Sequence, residues 1–313
     1  MAVGFVDLHH HAVPAAYREA LRSAGATDVG SITLPDWDAD SMMRQLDELG
    51  IARAVLSVST PATIPLEPAS AAATARQCND ELAALCAGAP DRLGAFALLP
   101  LPNVAASVAE LEYALDDLRL DGVSLLTNYG GCYLGHPVFE DVLAALDSRS
   151  TLVHIHPNLP PSPVGLTLPD PVLEFAFDTT RAIADMIARG TLERYRDIRF
   201  VLSHLGGALP FLAPRLAMID SPLARTHLGG PRADVAEHLR RLYYDVALST
   251  SPENLRLAID LLGAERLVFG SDVPFAPPPT LRSALEVMDR AQGLSPRERE
   301  LVERGTAEAL LGH

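Results

Sequence analysis

Short apolar runs alternate with longer amphipathic segments along the whole chain. The runs are rich in β-branched and aromatic residues and predict eight strands, at residues 3–9, 53–59, 94–101, 122–128, 151–157, 199–205, 242–248 and 266–272. Helical spacing of apolar side chains is found between them, at residues 38–50, 69–87, 104–118, 137–148, 179–195 and 251–263. This alternation predicts βα units around a parallel sheet.

Eight such units close most economically into a (β/α)8 TIM barrel, and 313 residues fit one domain of this kind, spanning 1–313. Two insertions interrupt the pattern. Residues 14–36, after the first strand, are too many for a simple loop, and the Pro-rich residues 157–171, after the fifth, cannot form regular structure. We expect both to fold over the mouth of the barrel as walls facing a substrate. For the Pro-rich segment, a surface excursion or an oligomer contact is the alternative.

The first strand ends in DLHHH, and side chains in an extended strand alternate between two faces. Asp7, His9 and His11 should therefore share one face, while His10 points outward on the other. Two neutral imidazoles buried side by side would leave four ring nitrogens to satisfy, which argues against a purely structural pair. We predict that His9 and His11 bind a metal ion, that Asp7 orients these ligands, and that His10 is structural.

The fifth strand contains two histidines on one face, so alternation does not choose between them. His156 directly precedes Pro157, which ends the strand and places His156 at the rim of the barrel. His154 lies one layer lower. We predict that His156 is a ligand and that His154 is packed in the interior or supports a ligand.

Two further candidates stand at strand ends. His204 precedes Gly206 and Gly207, which allow a sharp turn, and we favour a role in polarising water or substrate beside the metal; a fifth ligand or a merely hydrogen-bonded histidine are the alternatives. Asp272 follows the eighth strand. It can act as ligand, proton donor or both, with a helix N-cap or a turn before Pro274 as the structural alternative.

Composition narrows the range of partners. The chain has 25 Lys+Arg against 40 Asp+Glu, a formal net charge of -15, which argues against nucleic acid and anionic membranes as partners. No secretory signal or membrane span is recognisable, and three cysteines are too few and too oddly numbered for a disulfide framework, so we expect a cytoplasmic protein. The remaining histidines lie in helical, loop or terminal contexts and are predicted to be solvated: His136, His227, His238 and His313.

A group of motifs extends over nearly the whole chain: DLHHH, LSVSTP, ARQCNDELA, DGVSLLTNYG with YLGHPVFE, LSHLGGALPFL, YYDVALS and FGSDVPFAP. Together they resemble the amidohydrolase superfamily, in the branch of 2-amino-3-carboxymuconate-6-semialdehyde decarboxylase and related non-oxidative aromatic acid decarboxylases. Within that branch they are most similar to the 6-methylsalicylate decarboxylases. The resemblance implies one metal ion held by His9, His11, His156 and Asp272, with His204 as the catalytic histidine. Three nitrogens and one oxygen suit Zn²⁺, Mn²⁺ is the alternative in the branch, and no organic cofactor is implied.

The resemblance also implies a partner and a reaction. Arg215 matches an arginine that, in the branch, reaches the substrate carboxylate of a neighbouring subunit, so a homodimer is implied. A second substrate arginine of the muconate enzyme has no match in SITLPDWDAD, which favours a compact aromatic acid. The implied activity is metal-dependent, non-oxidative decarboxylation of a small hydroxyaromatic acid such as 6-methylsalicylate, with Asp272 placing a proton on the carbon that bears the carboxylate. Direct protonation and prior addition of hydroxide both remain open.

The main alternative is a metal-dependent hydrolase of a lactone or an amide, assisted by His204, because the same fold and site support both reactions. A dinuclear site of the carbamylated-lysine type is disfavoured, since no predicted strand ends in lysine.

Overall fold

Eight parallel strands form one sheet whose order follows the chain. The computed structural model describes residues 4–29, 32–162, 165–220, 234–289 and 294–312. The strands are β1 Phe5–His11, β2 Ile51–Ser57, β3 Leu93–Leu98, β4 Gly122–Leu126, β5 Leu152–His156, β6 Arg199–Leu202, β7 Tyr243–Asp245 and β8 Leu267–Val268. Each strand pairs with the next one along the chain. All eight predicted strands are therefore present, with ends shifted by a few residues.

Backbone hydrogen bonds carry the last strand back to the first. The amide of Leu8 donates to the carbonyl of Phe269 at 3.1 Å, and the amide of Asp272 donates to the carbonyl of His9 at 2.8 Å. The sheet thus forms a nearly closed barrel, which confirms the predicted (β/α)8 architecture. The contacts at Asp272 also bind the loop after β8 to the end of β1.

Helices connect the strands and surround the barrel. They are α1 Ala15–Ser23, α2 Ala39–Glu48, α3 Pro68–Gly88, α4 Val104–Glu112, α5 Glu140–Asp147, α6 Asp170–Ala188, α7 Thr191–Arg194, α8 Leu209–Leu216, α9 Val235–Arg241, α10 Pro252–Leu262, α11 Pro278–Asp289, α12 Pro296–Glu300 and α13 Thr306–Leu311. The insertion after β1 contains α1 and a short antiparallel hairpin that pairs Asp28–Val29 with Ile32–Thr33.

The helix expected at 179–195 begins earlier and ends earlier than its pattern predicted. It starts at Asp170, because Pro171 occupies the first turn, where its missing N–H costs nothing and its fixed φ suits a helix. It ends at Ala188, since Gly190 adopts a φ of 69° and separates it from α7. The Pro-rich segment is therefore shorter than predicted.

A hydrophobic cluster fills the barrel interior below its rim. It combines side chains from β1, β2, β3, β5, β6 and β8, which lie on different sides of the barrel, with two from α13: Val6, Leu8, Val55, Phe96, Leu152, Val201, Val268, Ala307 and Leu310. The second, larger cluster joins the strands to the surrounding helices. Polar groups at the rim thus stand on a closed apolar floor.

All three cysteines, Cys78, Cys86 and Cys132, are free, as expected from their number. Among the helices within the described ranges, none combines the length and the apolar composition needed to cross a bilayer.

Candidate metal centre

Four buried side chains meet at the C-terminal rim of the barrel. His9 and His11 come from the end of β1, His156 is the last residue of β5, and Asp272 follows β8; one ligand atom from each lies within 4.8 Å of the others. The Nε2 atoms of His9 and His11 are 3.0 Å apart, and Asp272 Oδ1 lies 3.3 Å and 3.1 Å from them. The four residues predicted as ligands are thus brought together.

The opposite nitrogens of two of these rings are anchored away from the meeting point. His156 Nδ1 donates to the carbonyl of Pro157 at 2.8 Å. His11 Nδ1 lies 3.1 Å from Ser57 Oγ, whose hydroxyl donates in turn to the carbonyl of His10, so that Ser57 accepts from the ring. Both rings therefore carry their proton on Nδ1 and present the Nε2 lone pair to the meeting point.

Asp245, the last residue of β7, orients the third ring. Its Oδ2 lies 2.8 Å from His9 Nδ1 and 3.2 Å from His154 Nε2. Its Oδ1 accepts from the amides of His204 at 2.9 Å and Ala247 at 3.0 Å. A carboxylate behind a ligating histidine fixes the ring and increases its basicity. Asp245 thus holds both His9 and the backbone of the catalytic candidate His204.

The donor set fits a cation. Burial lowers the pKa of His9, but Asp245 and Asp272 outweigh this effect and raise it to about 10. Burial is the main cause that lowers the pKa of His11 and of His156. Burial raises the pKa of Asp272, yet His9 and the neighbouring rings bring it well below its usual range. The cluster therefore stabilises a positive charge. Without an ion, a proton on His9 supplies this charge, and a divalent ion would displace that proton and supply the charge instead.

His204 stands beside this centre without joining it. Its Nε2 lies 3.4 Å from Asp272 Oδ2. The turn that carries it has left-handed backbone angles at His204, with a φ of 56°, and at Gly207, with a φ of 64°. A Cβ on Gly207 would lie 1.9 Å from the carbonyl oxygen of Ala176, so this turn requires glycine there. The predicted sharp turn is confirmed.

A cavity of about 400 Å³, here called the rim cavity, opens onto the centre. Its lining is Ser59, Thr60, His156, Pro171, Val172, Phe175, Ala176, His204, Leu248, Ser249, Asp272, Phe275, Pro277 and Thr280. The walls are mostly apolar and include two aromatic rings, and His156, His204 and Asp272 bring the predicted metal centre into the lining. No arginine is among these described residues, so a bound anion would find its counter-charge at the metal centre.

One polar wall of the rim cavity is ordered by a buried hydrogen-bond chain. Thr60 Oγ1 lies 2.6 Å from Asn158 Oδ1, and Asn158 Nδ2 donates to the carbonyl of Asn128 at 3.1 Å. The backbone amide of Asn158 donates to Thr127 Oγ1 at 2.9 Å, and Thr127 donates to the buried Asp178. Because Asn158 Nδ2 faces a carbonyl, its oxygen faces Thr60, so the Thr60 proton is committed to it. Towards the cavity, Thr60 Oγ1 can therefore act only as a hydrogen-bond acceptor.

Comparison with known proteins identifies the family of this chain. A family model described as Amidohydrolase matches residues 6–313. The 6-methylsalicylic acid decarboxylase of Penicillium expansum is 36% identical over 278 residues, covering 87% of this chain and 85% of that protein. The chain belongs to the amidohydrolase family. The family inferred from the motifs is thereby confirmed.

Two solved structures share the fold of this chain. One described as amidohydrolase II is 29% identical, has a TM-score of 0.92, and covers 99% of this chain and 100% of its own. A 2,6-dihydroxybenzoate decarboxylase in complex with 2,6-dihydroxybenzoate is 25% identical, with a TM-score of 0.82 and 99% of both chains covered.

In this amidohydrolase, the alternation of side chains between the two faces of β1 is disturbed between Asp7 and His10. The pairing of β1 with β2 shifts register between Asp7 and His10. Asp7 therefore contacts the ring of His10, with Oδ2 3.0 Å from Nδ1, and not the rings of His9 or His11. Its Oδ1 accepts from the amides of His9 and Ser271, both at 3.0 Å. Asp7 thus orients the backbone of the predicted ligand His9 and not the ligand rings, while His10 is fully buried and contacts Asp7 and Ser271.

Two supporting residues escaped the sequence analysis, although a signal existed for both. Asp245 lies in the middle of the predicted seventh strand, 242–248, as an acid within an apolar run, and Ser57 lies near the end of the predicted second strand. His154 agrees with its prediction: it is buried one layer below the rim, contacts Asp245, and stacks on Phe96 with ring centroids 5.7 Å apart.

Neither Arg215 nor most described residues of the two insertions predicted to face a substrate lie at the rim cavity. Arg215 lies exposed on α8 and does not line the rim cavity. Within the described part of 14–36, no residue lines this cavity, contrary to expectation, and of the described residues of the Pro-rich segment only its last, Pro171, does so. The cavity wall comes instead from α6 and from the loops after β2, β7 and β8.

The four histidines predicted to be solvated have different outcomes. His136 is exposed and accepts from the amide of Val138, as expected. His238 is only 2% exposed, so that prediction is wrong; it lies on the inner side of α9. His227 and His313 lie outside the described residues.

Proposed function

We propose that this protein is a metal-dependent, non-oxidative decarboxylase of a small hydroxyaromatic carboxylic acid such as 6-methylsalicylate. The observation that carries the proposal is the combination of one three-histidine, one-carboxylate centre with a largely apolar cavity of about 400 Å³ directly above it. That volume lies in the usual range for small-molecule sites and accommodates a single substituted ring. The relationship to a 6-methylsalicylic acid decarboxylase supports the same substrate class.

His9, His11, His156 and Asp272 would hold the ion through three nitrogens and one oxygen. We favour zinc for this ligand set, with manganese as the alternative. When bound, the ion supplies a positive charge that fixes a carboxylate and an ortho hydroxyl and withdraws electron density from the ring. Phe175 and Phe275 flank the centre and exclude water from the apolar face of the ring.

Asp272 and His204 would transfer the proton that replaces the carboxylate on the ring carbon. The resting Asp272 is a carboxylate, because its pKa is far below the usual range, so it needs a proton before it can protonate the ring carbon. His204 Nε2, 3.4 Å from Asp272 Oδ2, is placed to supply it. Carbon dioxide then leaves as the proton occupies the position of the carboxylate, and no organic cofactor takes part.

We also propose a homodimer in which Arg215 reaches the active site of the partner subunit. Arg215 and Phe211 are four residues apart on α8, hence on one face, and Phe211 is 78% exposed. Met218, just beyond this helix, is 62% exposed. Large apolar side chains grouped in this way mark interaction surfaces. Light scattering should give twice the chain mass, and Phe211→Glu should shift it towards the monomer; a wild-type monomer contradicts the proposal.

The free cysteines and acidic composition are consistent with a reducing compartment, and we propose a cytoplasmic location.

The function is tested with a panel of ortho-hydroxybenzoates, including 6-methylsalicylate, scored for metal-dependent CO₂ release. Lactones and amides serve as controls for the hydrolase alternative. The chain contains no lysine, which leaves no residue for a carbamylated-lysine dinuclear centre. Hydrolysis of a lactone or an amide without decarboxylation of any acid would replace our proposal by that alternative.

The role of Asp272 is tested by Asp272→Asn, which keeps an oxygen at the centre but cannot deliver a proton. We expect much of the metal to remain and turnover to be lost. His156→Ala should instead lose the metal, and His154→Ala should retain more of it. Activity in Asp272→Asn would remove this residue from proton transfer.

A further inference from the structure

A second cavity, of about 210 Å³, lies at the opposite end of the barrel from the metal centre. It is bordered by Arg199 and Tyr243, the first residues of β6 and β7, and by Arg266, directly before β8. Arg196 and Arg241 complete the set of arginines that line it. We call it the arginine cavity. Four guanidinium groups around so small a volume are unusual for a chain with a formal net charge of -15.

Two of these arginines are held by neutral carbonyl groups. Arg199 donates from Nε to the carbonyl of Ser150 at 3.2 Å and from Nη1 to that of Leu310 at 2.7 Å. Arg196 donates from Nε to the carbonyl of Glu193 at 3.2 Å. These bonds fix the guanidinium planes but leave their positive charges uncompensated, and both groups keep further N–H donors.

Of the other two arginines, Arg241 is also held by carbonyl groups, and Arg266 is held by an aromatic ring. Arg241 donates from Nη1 to the carbonyl of Leu192 and from Nη2 to that of Arg196. The guanidinium of Arg266 lies over the ring of Tyr243, 4.9 Å from its centroid. Ring stacking orients Arg266 without using its N–H groups.

Arginines elsewhere on this chain mostly pair with acids, as in the ion pairs Arg92–Asp47 and Arg189–Asp185. Within the ranges that the structure describes, none of the four cavity arginines forms an ion pair with a carboxylate. Like charges held this close repel one another, and an anion between them would relieve that repulsion.

His238 adds a second, independent observation. It lines the arginine cavity, is 2% exposed, and its Nδ1 makes no hydrogen bond within the described structure. Its Nε2 lies 3.4 Å from the Glu193 carboxylate. A buried ring nitrogen without a partner is costly unless a ligand or water supplies one. The cavity therefore combines uncompensated charge with an unsatisfied buried polar atom.

We propose that the arginine cavity, walled by Arg196, Arg199, Arg241, Arg266 and His238, binds a tetrahedral dianion of the phosphate type. Guanidinium groups match phosphate oxygens through paired N–H donors, and several converging arginines are a recurring means of binding phosphate. The cavity volume admits one such anion with a few waters. Because its walls come from the starts of β6 and β7, from α9 and from the segment before β8, a bound anion would join these elements and stabilise the folded barrel. This inference does not depend on the proposed catalytic activity.

Inorganic phosphate is the probe, added to metal-loaded protein at an ionic strength kept constant with chloride. Calorimetric titration should show saturable binding, and thermal unfolding should shift upward with phosphate. Arg266→Gln and Arg196→Gln should each weaken binding about ten-fold, as expected for loss of a charge-assisted hydrogen bond. Arg240→Gln is the matched control: Arg240 precedes Arg241 on α9, bonds the carbonyl of Leu261, and does not line the cavity.

Two substitutions are used so that the test does not depend on one variant folding. Both should be tolerated, because among the described residues the Arg266 side chain makes a ring contact alone and Arg196 is exposed. Circular dichroism checks the fold of each. Absence of saturable phosphate binding overturns the proposal. Equal affinity in wild type, Arg266→Gln and Arg196→Gln overturns it as well, because the anion would then bind elsewhere, for example at the metal centre.

Discussion

Asp245→Asn is the substitution that most directly tests how the metal centre is organised. The native carboxylate accepts at Oδ2 from the His9 ring and at Oδ1 from the amides of His204 and Ala247. An asparagine of the same shape has one oxygen and one NH₂. If the oxygen faces His9, the NH₂ meets two N–H donors. If the NH₂ faces His9, this ring must move its proton to Nε2, the atom that would bind the metal.

The first orientation leaves buried N–H donors unsatisfied, and the second removes the His9 Nε2 lone pair from the metal centre. Loss of a residue that orients a ligating histidine typically lowers metal affinity 10- to 100-fold, which corresponds to about 1.4–2.8 kcal/mol. The buried mismatch should in addition lower the free energy of unfolding by about 1–3 kcal/mol. The effect on the metal should exceed that of removing a surface carboxylate, because Asp245 is fully buried.

The assay is competition for zinc between the protein and a chelator of known affinity, with urea unfolding measured in parallel. Asp178→Asn is the matched control: Asp178 is also fully buried and accepts from Thr127, Asn128 and Tyr133, but it contacts no metal-centre residue. It should lose stability and keep its metal affinity. Unchanged zinc affinity in Asp245→Asn, or an equal loss in both variants, would refute the orienting role.

Four further outcomes follow from the structure. Gly207→Ala should lower the free energy of unfolding by about 3 kcal/mol or more, measured in urea, because its Cβ would lie 1.9 Å from the Ala176 carbonyl oxygen at a φ of 64°. Metal uptake near pH 8 should release about one proton, detected with a pH indicator, because the pKa of His9 is about 10 without the ion. Since that pKa is raised by folding, its stabilising contribution is complete below about pH 6.5 and is lost as pH rises towards 10; the metal-free protein should melt lower at pH 9.5 than at pH 6.5, and an opposite trend would contradict the assignment. Thr60→Val should lower kcat/KM for a hydroxyaromatic acid about 3- to 10-fold, whereas Thr63→Val, which removes a hydroxyl outside the rim cavity, should not.

The fold and the four convergent residues were predictable because they follow from local patterns. Period-two runs separated by helical segments define βα units, and a strand that ends in a polar side chain places that side chain at the rim. His156 could be chosen over His154 because Pro157 shows where the strand ends. The large-scale architecture thus depends on patterns that each span fewer than about twenty residues.

Predictions from the sequence failed where contacts between residues far apart in the sequence determine the position of a side chain. The register shift in β1 separates Asp7 from the ligand face, and it is held by bonds from Ser271, which is far away in the sequence. His238 is buried because α9 turns this side inward, which the short helix does not reveal by its own spacing. Asp245 was visible as an acid within a predicted strand, but its role requires knowing that β7 lies beside the ring of His9.

The metal centre depends on the closure of the barrel. The Nδ1 protons of its three histidines are bound by different parts of the sheet: by Ser57 on β2, by the carbonyl after β5, and by Asp245 on β7. Asp272 is attached to β1 by the hydrogen bond from its own amide to the carbonyl of His9. Each predicted ligand is therefore oriented either by a group on a different strand or, for His156, by the backbone just after its own strand. Opening the barrel at any of these places would leave one ligand atom misaligned. It follows that an ion bound here stabilises the barrel as a whole, because the aligned set of donors exists only when β1, β2, β5, β7 and the loop after β8 are all in place.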